Sequence, residues 1–285
     1  MPKLFVEEDF FPRFQDEFAL RVNKDLRLFE EMLSGHALGQ HSWNQKEAVT
    51  LQNEIKNVKS TFEMNQILYL DHCQDIQAIQ SYLIKRSYNL MVPITSLHNE
   101  VNFLAAATLC RSLLELSIWS LWHSTTIKKM SESVTKELAE TGILIVKGGG
   151  GSPLELADLL QKLLHGTRLK DIKKLDPDWK QMHIMDELKK FGKYDTNKYV
   201  EELYDFLCEL THPNIIGNEI FLHVGENERH VITPHQTGWA ALATIEKICA
   251  CLSWSAQSMV NADENFDEAI LQISNALDLN YVSVS

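Results

Sequence analysis

Val101-Asn-Phe-Leu-Ala-Ala-Ala-Thr-Leu-Cys-Arg111-Ser-Leu-Leu-Glu115-Leu-Ser-Ile-Trp-Ser-Leu-Trp-His-Ser-Thr-Thr-Ile127 carries two formal charges, Arg111 and Glu115. Wound at 100° per residue, it is apolar on every side. Leu104, Ile118, Trp119 and Trp122 share an arc with the two charges, and Leu109, Leu113 and Leu116 cover the opposite face. A helix of that kind belongs at the centre of a fold. Arg111 is therefore expected inside, with Glu115 one turn on as its partner. Charges taken out of water are costly unless paired, so this spacing predicts a helical protein folded around a polar cluster.

Outward from there, apolar residues recur at three and four almost everywhere. The spacing predicts helices at 13–33, 45–60, 62–90, 95–127, 129–141, 153–165, 179–191, 196–212, 236–260 and 264–277. Pro93 followed by Thr95 and Ser96 reads as a break and restart. One stretch alternates instead: Glu219–Val224, a Gly-Glu-Asn-Glu turn, then Arg229–Thr233, which reads as a small β-hairpin near 219–233. The run Lys147-Gly-Gly-Gly-Gly-Ser-Pro153 reads as a flexible loop within one helical domain spanning 1–285. The fold class expected is all-α, a multi-helix bundle with one hairpin.

Length and composition fit a globular chain: 285 residues, 45% hydrophobic and 23% charged. No unbroken apolar run reaches the ~18 residues of a membrane span. The first residues lack the basic-then-apolar order of a secretory signal. Five cysteines, an odd number, lie in helical stretches and are expected as thiols. These readings predict a cytoplasmic protein with no membrane contact.

Charge is unevenly placed. Residues 1–199 carry 25 basic and 26 acidic side chains, and residues 200–285 carry 2 and 13, so the C-terminal third holds −11 of the net −12. That third would repel a phosphate backbone, which disfavours RNA as a partner. The one sizeable basic stretch, Lys162–Lys193, reads as a solvated helix face.

A second polar set ends another predicted helix: Tyr204-Asp-Phe-Leu-Cys208-Glu209-Leu-Thr-His212-Pro-Asn214. Leu203, Phe206, Leu207 and Leu210 form its core face, bordered by the stripe Tyr204, Cys208, His212. Pro213 ends the helix and leaves His212 where the dipole favours a cation. An imidazole there has acid, base or phosphate-contacting chemistry near neutral pH, or simply caps the last carbonyls. Arg111, Glu115, Tyr204, Glu209, His212 and Asn214 together make a candidate polar pocket.

Other signals fail on spacing. Cys249-x-Cys251 diverges on a helix, and Asp71-His-Cys-Gln-Asp75 lacks a second half at zinc-like distance, so neither metal nor cofactor is expected. The glycine run lacks the Lys-Ser/Thr of a phosphate loop.

The blocks Ala-Ala-Thr-Leu-Cys-Arg111-Ser-Leu-Leu-Glu115 and Tyr204…His212-Pro-Asn214 resemble those of uncharacterised bacterial helical proteins related to the HEPN-like superfamily. Members of that superfamily occur as toxins, antitoxins and components of phage defence. The resemblance covers about a third of the chain, roughly 98–122 and 199–218. It implies a helical bundle, self-association or a protein partner, and a defence or stress role. Active HEPN ribonucleases carry Arg-x(4–6)-His on one helix, whereas no arginine stands between Lys198 and His212 here. Two readings follow. One is a noncatalytic interaction or sensing module. The other is a metal-independent ribonuclease-like enzyme, with His212 as general acid/base and Arg111 stabilising phosphate.

Overall fold

The computed structural model describes residues 3–7, 16–36, 48–141, 152–165, 198–212, 215–225, 230–236, 238 and 240–279. Among them are eight helices and one hairpin: α1 (Asp16–Gly35), α2 (Ala48–Lys56), α3 (Thr61–Asn99), α4 (Phe103–Thr141), α5 (Ser152–His165), α6 (Lys198–Thr211), α7 (Ile215–Glu219), β1 (Leu222–Val224), β2 (His230–Ile232) and α8 (Ala241–Ala276). The protein is all-α, as its periodicity dictates. The expected helix at 179–191, the glycines 148–151 and most of the basic stretch lie outside the described residues.

Three helices run further than the sequence suggested. Pro93 lies within α3, which shows no break there. Proline removes one amide donor and costs ~3 kcal/mol in a helix interior. Pro93 leaves the carbonyl of Asn89 without its usual amide donor, while Thr95 Oγ1 donates to the carbonyls of Met91 (3.1 Å) and Val92 (2.9 Å). Met91 and Ile94, both fully buried, hold the turn by packing. Likewise α4 runs on past Ile127, and α8 passes through the polar run 261–265.

The chain forms two compact units. The first draws on Met1–Ser34, Ile84–Ser120 and Ile184–Val260, the second on Gly35–Leu83, Leu121–His183 and Asn261–Ser285. In the first, Ala19, Val22, Leu26, Phe29 and Leu33 of α1 recur at three and four and are all buried. Asn23 ties in the N-terminal segment, its Oδ1 accepting from Val6 N (2.8 Å) and its Nδ2 donating to Val6 O (3.1 Å). Leu4 and Val6 thereby join the core. Between α3 and α4 the amide of Asn102 donates to Leu97 O (2.8 Å), a closing turn that puts Val101 at φ 61°. Glycine is the usual residue there, so this valine is strained. Gln236 caps α4, accepting from Leu104 N (2.7 Å) and donating to Asn102 Oδ1 (3.1 Å). The hairpin pairs Leu222 with Ile232 and Val224 with His230, antiparallel. Gly238 N donates to Ile220 O (2.7 Å) and fastens the hairpin to the start of α8.

By length and composition α4 could cross a membrane, and half of the relevant window is buried inside the protein.

In the second unit Tyr69, Ile76 and Ile79 of α3, Ile127 and Val134 of α4, and Phe266, Ile270 and Ile273 of α8 are buried. A polar network accompanies them. His36 Nε2 lies 3.0 Å from both carboxylate oxygens of Asp263. Gln80 Nε2 donates to Asp263 Oδ1 (2.6 Å) and to Asp267 Oδ1 (2.9 Å). The hydrogen bond to Asp263 raises the His36 pKa above its ordinary value, against the opposing effect of burial. A base whose pKa is raised on folding gives stability that is complete below pH ~6.5 and is lost as pH rises through the folded value. The melting temperature is thus expected to fall between pH 6.5 and 8. His36→Gln should flatten that slope and remove about 1–2 kcal/mol at pH 6. A wild-type slope unchanged in His36→Gln would count against this assignment.

Candidate functional site

The two polar blocks singled out in the sequence meet in the first unit. Arg111 and Glu115 stand one turn apart on α4, and Tyr204 comes from α6 because its side chain is on that helix's buried face with Val200, Leu203, Leu207 and Leu210. Arg111 Nε donates to Glu115 Oε1 (3.4 Å) and Nη2 donates to Tyr204 Oη (3.4 Å). Tyr204 Oη in turn donates to the same Glu115 oxygen at 2.9 Å. The Arg111 guanidinium carbon also lies 5.6 Å from the Tyr204 ring centroid, within cation–π range. The three groups close a triangle whose shortest side joins the two helices.

Burial differs from expectation. Tyr204 is 3% exposed. The side chains of Arg111 and Glu115 are 34% and 30% exposed, so the pair lies at the edge of the core and not within it. Long side chains such as these can pack their stems against the core while their charged ends stay at its edge. An exposed i,i+4 pair contributes about 0.3–0.5 kcal/mol, and Arg preceding Glu is the weaker order. Most of the triangle's contribution to stability therefore sits in the buried Tyr204.

Electrostatics fix the protonation pattern. Burial, then the hydrogen bond to Glu115, push the Tyr204 hydroxyl up to about 12, while Arg111 pulls the other way. At neutral pH Tyr204 keeps its proton and serves as a donor. Burial works to discharge Arg111, but its hydrogen bond to Tyr204 and the charge of Glu115 work the other way, and it stays cationic. The Cys208 thiol is raised by burial despite Arg111 nearby, so it stays protonated.

The remaining predicted residues stand apart. His212 is solvent-exposed just past the end of α6, its amide still donating to Cys208 O (3.2 Å). Two helical turns, about 12 Å of rise, separate it from Tyr204. No imidazole touches Arg111 among the described residues. Glu209 is exposed, and Asn214 lies outside the described residues. Phe206, expected in the core face, is half-buried and receives Lys247 Nζ at 5.9 Å from its ring, with Tyr199 on the other side at 5.5 Å.

Spacing hid a second constellation. Cys249 Sγ is 3.8 Å from His98 Nε2, and His98 Nδ1 is 3.2 Å from Asn99 Oδ1. The residue types match a thiol nucleophile, its base and an orienting amide. Their surroundings do not. Cys249 and His98 are both fully buried. Burial raises the thiol and lowers the imidazole, so the neutral pair is favoured and no thiolate forms. Asn99 is instead engaged with the N-terminal segment, accepting from Glu7 N (3.0 Å) and donating to Phe5 O (3.1 Å). Cys249 and His98 are core structure.

Comparisons with protein-family models, with curated proteins and with solved structures found no match to this chain.

Proposed function

We propose that this chain is a noncatalytic interaction or sensing module of the HEPN-like kind, acting in the bacterial cytoplasm as part of a defence, toxin–antitoxin or stress system. One observation carries the noncatalytic reading: Arg111, Glu115 and Tyr204 satisfy one another, and the tyrosine proton is held far above neutral pH. A group in that state orients and binds but does not shuttle protons at pH 7. The Arg111 side chain is 34% exposed, and the guanidinium N–H groups not engaged with Glu115 or Tyr204 suit a carboxylate or phosphate on a partner.

The hairpin supports a protein partner. Val224, Val231 and Ile232 are exposed, Ile232 at 80%. Apolar side chains on a short two-stranded ribbon favour docking against another protein surface or a second copy of the chain. The ribonuclease reading needs His212 and Arg111 on one phosphate, and the contacts of Arg111 go elsewhere.

Two assays test this. Purified protein with chelator present is expected to leave labelled RNA intact. Cleavage that disappears in His212→Ala without loss of folded protein would overturn the noncatalytic reading. In sedimentation, the wild type is expected to self-associate and Ile232→Lys to weaken that at least tenfold. Equal association in both would remove the hairpin from the interface.

A further inference from the structure

Two helices of the first unit carry opposite charge on their outward faces. On α1, Leu20, Lys24 and Leu28 follow one another a turn apart, flanked by Arg21 and Arg27, and all five are exposed. Among the exposed side chains described on that face, Glu31 is the one acid. On α6, Glu202, Asp205 and Glu209 recur at three and four with Glu201 beside them, all exposed, against the single base Lys198. A chain of net charge −12 has carboxylates enough for its cations. Yet no ion pair or hydrogen bond engages the side chains of Arg21, Lys24, Arg27, Glu202 or Asp205 among the described residues.

Tyr199, near the start of α6, brings the two faces together. Burial raises its hydroxyl pKa, while Arg21 of α1 lowers it and Glu202 of α6 raises it, so both charged strips lie within electrostatic reach of one ring. Lys247 of α8 holds the ring from another side, its Nζ 5.5 Å from the centroid. Apolar side chains are exposed over the same ground: Leu20 at 53%, Tyr199 at 45% and Leu28 at 43%. Large apolar groups left in water between unpaired charges mark a surface that another one covers.

The two signs decide what covers it. A phosphate backbone or an anionic membrane is drawn to α1 but repelled by α6. The matching surface carries the same two strips in reverse order, and a two-fold rotation of the chain itself supplies it. With the axis along the boundary that Tyr199 marks, α1 of each copy lies on α6 of the other, and the leucines and the tyrosine are covered. We propose that the chain forms a two-fold dimer through this face, with Arg21, Lys24 and Arg27 of one copy against Glu202, Asp205 and Glu209 of the other. The function proposed above also calls for a protein partner, but this pairing stands on different residues. Ile232→Lys tests the hairpin, and the charged strips are tested by their own variants.

In sedimentation the full chain is expected to associate, and more weakly at roughly 500 mM salt than at roughly 50 mM. Arg21→Glu/Lys24→Glu and Glu202→Lys/Asp205→Lys should each weaken association by about tenfold or more, because each reversed strip then meets its own sign. All four residues are exposed, so the variants should melt with the wild type. The chain carrying all four substitutions keeps the wild-type net charge and has complementary strips again, so its association should return to within about threefold of wild type. A monomeric wild type, a pair of reversals that leaves association unchanged, or a quadruple variant no better than either pair overturns the proposal. So does a wild type that stays monomeric yet is retained on heparin through Lys24, which would make α1 a polyanion site instead.

Discussion

Gly238→Ala is expected to destabilise the protein by about 3–5 kcal/mol and lower the melting temperature by roughly 10 °C. A Cβ built on Gly238 would stand 2.3 Å from Glu219 O, 2.6 Å from Leu222 N and 2.7 Å from Ile220 C. All three are backbone atoms, so no side-chain rotation relieves the clash. The backbone must move, and with it the 2.7 Å hydrogen bond from Gly238 N to Ile220 O. That bond joins the hairpin to α8, so the hairpin should loosen before the helices melt. Amide exchange at Leu222–Val224 should accelerate more than exchange within α8. A melting temperature within a degree or two of wild type would show that the approach is not so close.

Gln80→Leu is the other change with a large expected effect, about 2–4 kcal/mol. Leucine fits the apolar volume but donates nothing. Asp263 is 8% exposed and Gln80 3%. Without the amide, the carboxylates of Asp263 and Asp267, one turn apart on α8, keep His36 alone as a hydrogen-bonding side chain among the described residues. Burial already raises the Asp267 pKa, with Asp263 adding to it and Gln80 opposing. The variant should therefore recover part of its lost stability in mild acid, as a carboxylate takes up a proton. Chemical denaturation at pH 7 and pH 5 measures both effects. Equal stability of Gln80→Leu and wild type at pH 7 would show that the network is dispensable.

Helix content was legible because it rests on spacing, which survives without knowledge of neighbours. Leu203, Leu207 and Leu210 were read as core and are core. The meeting of Tyr204 with Arg111 was also within reach, since a cation in an apolar helix must find acceptors somewhere. What failed depended on partners that only the fold supplies. Residues 261–263 fell between two expected helices, yet Asp263 is held in α8 by Gln80 and His36, far away in sequence. Pro93 looked like a stop, but the buried flanks of Met91 and Ile94 keep α3 going. Arg111 looked fully interior because its helix is apolar all round, but its side chain is 34% exposed. The pairing of Cys249 with His98 had no local signal, because 151 positions separate them.

The triangle of Arg111, Glu115 and Tyr204 is the feature on which the functional reading stands, and a double-mutant cycle tests it most directly. Glu115→Gln, Tyr204→Phe and their combination can be compared by chemical denaturation. If the Tyr204 hydroxyl donates to Glu115 at 2.9 Å, the two changes should couple by about 1 kcal/mol, with the second change costing much less once the first is made. Effects that add to within ~0.3 kcal/mol would show that the two helices do not share this bond, and the reading of Arg111 as a held, binding-only cation would fall with it.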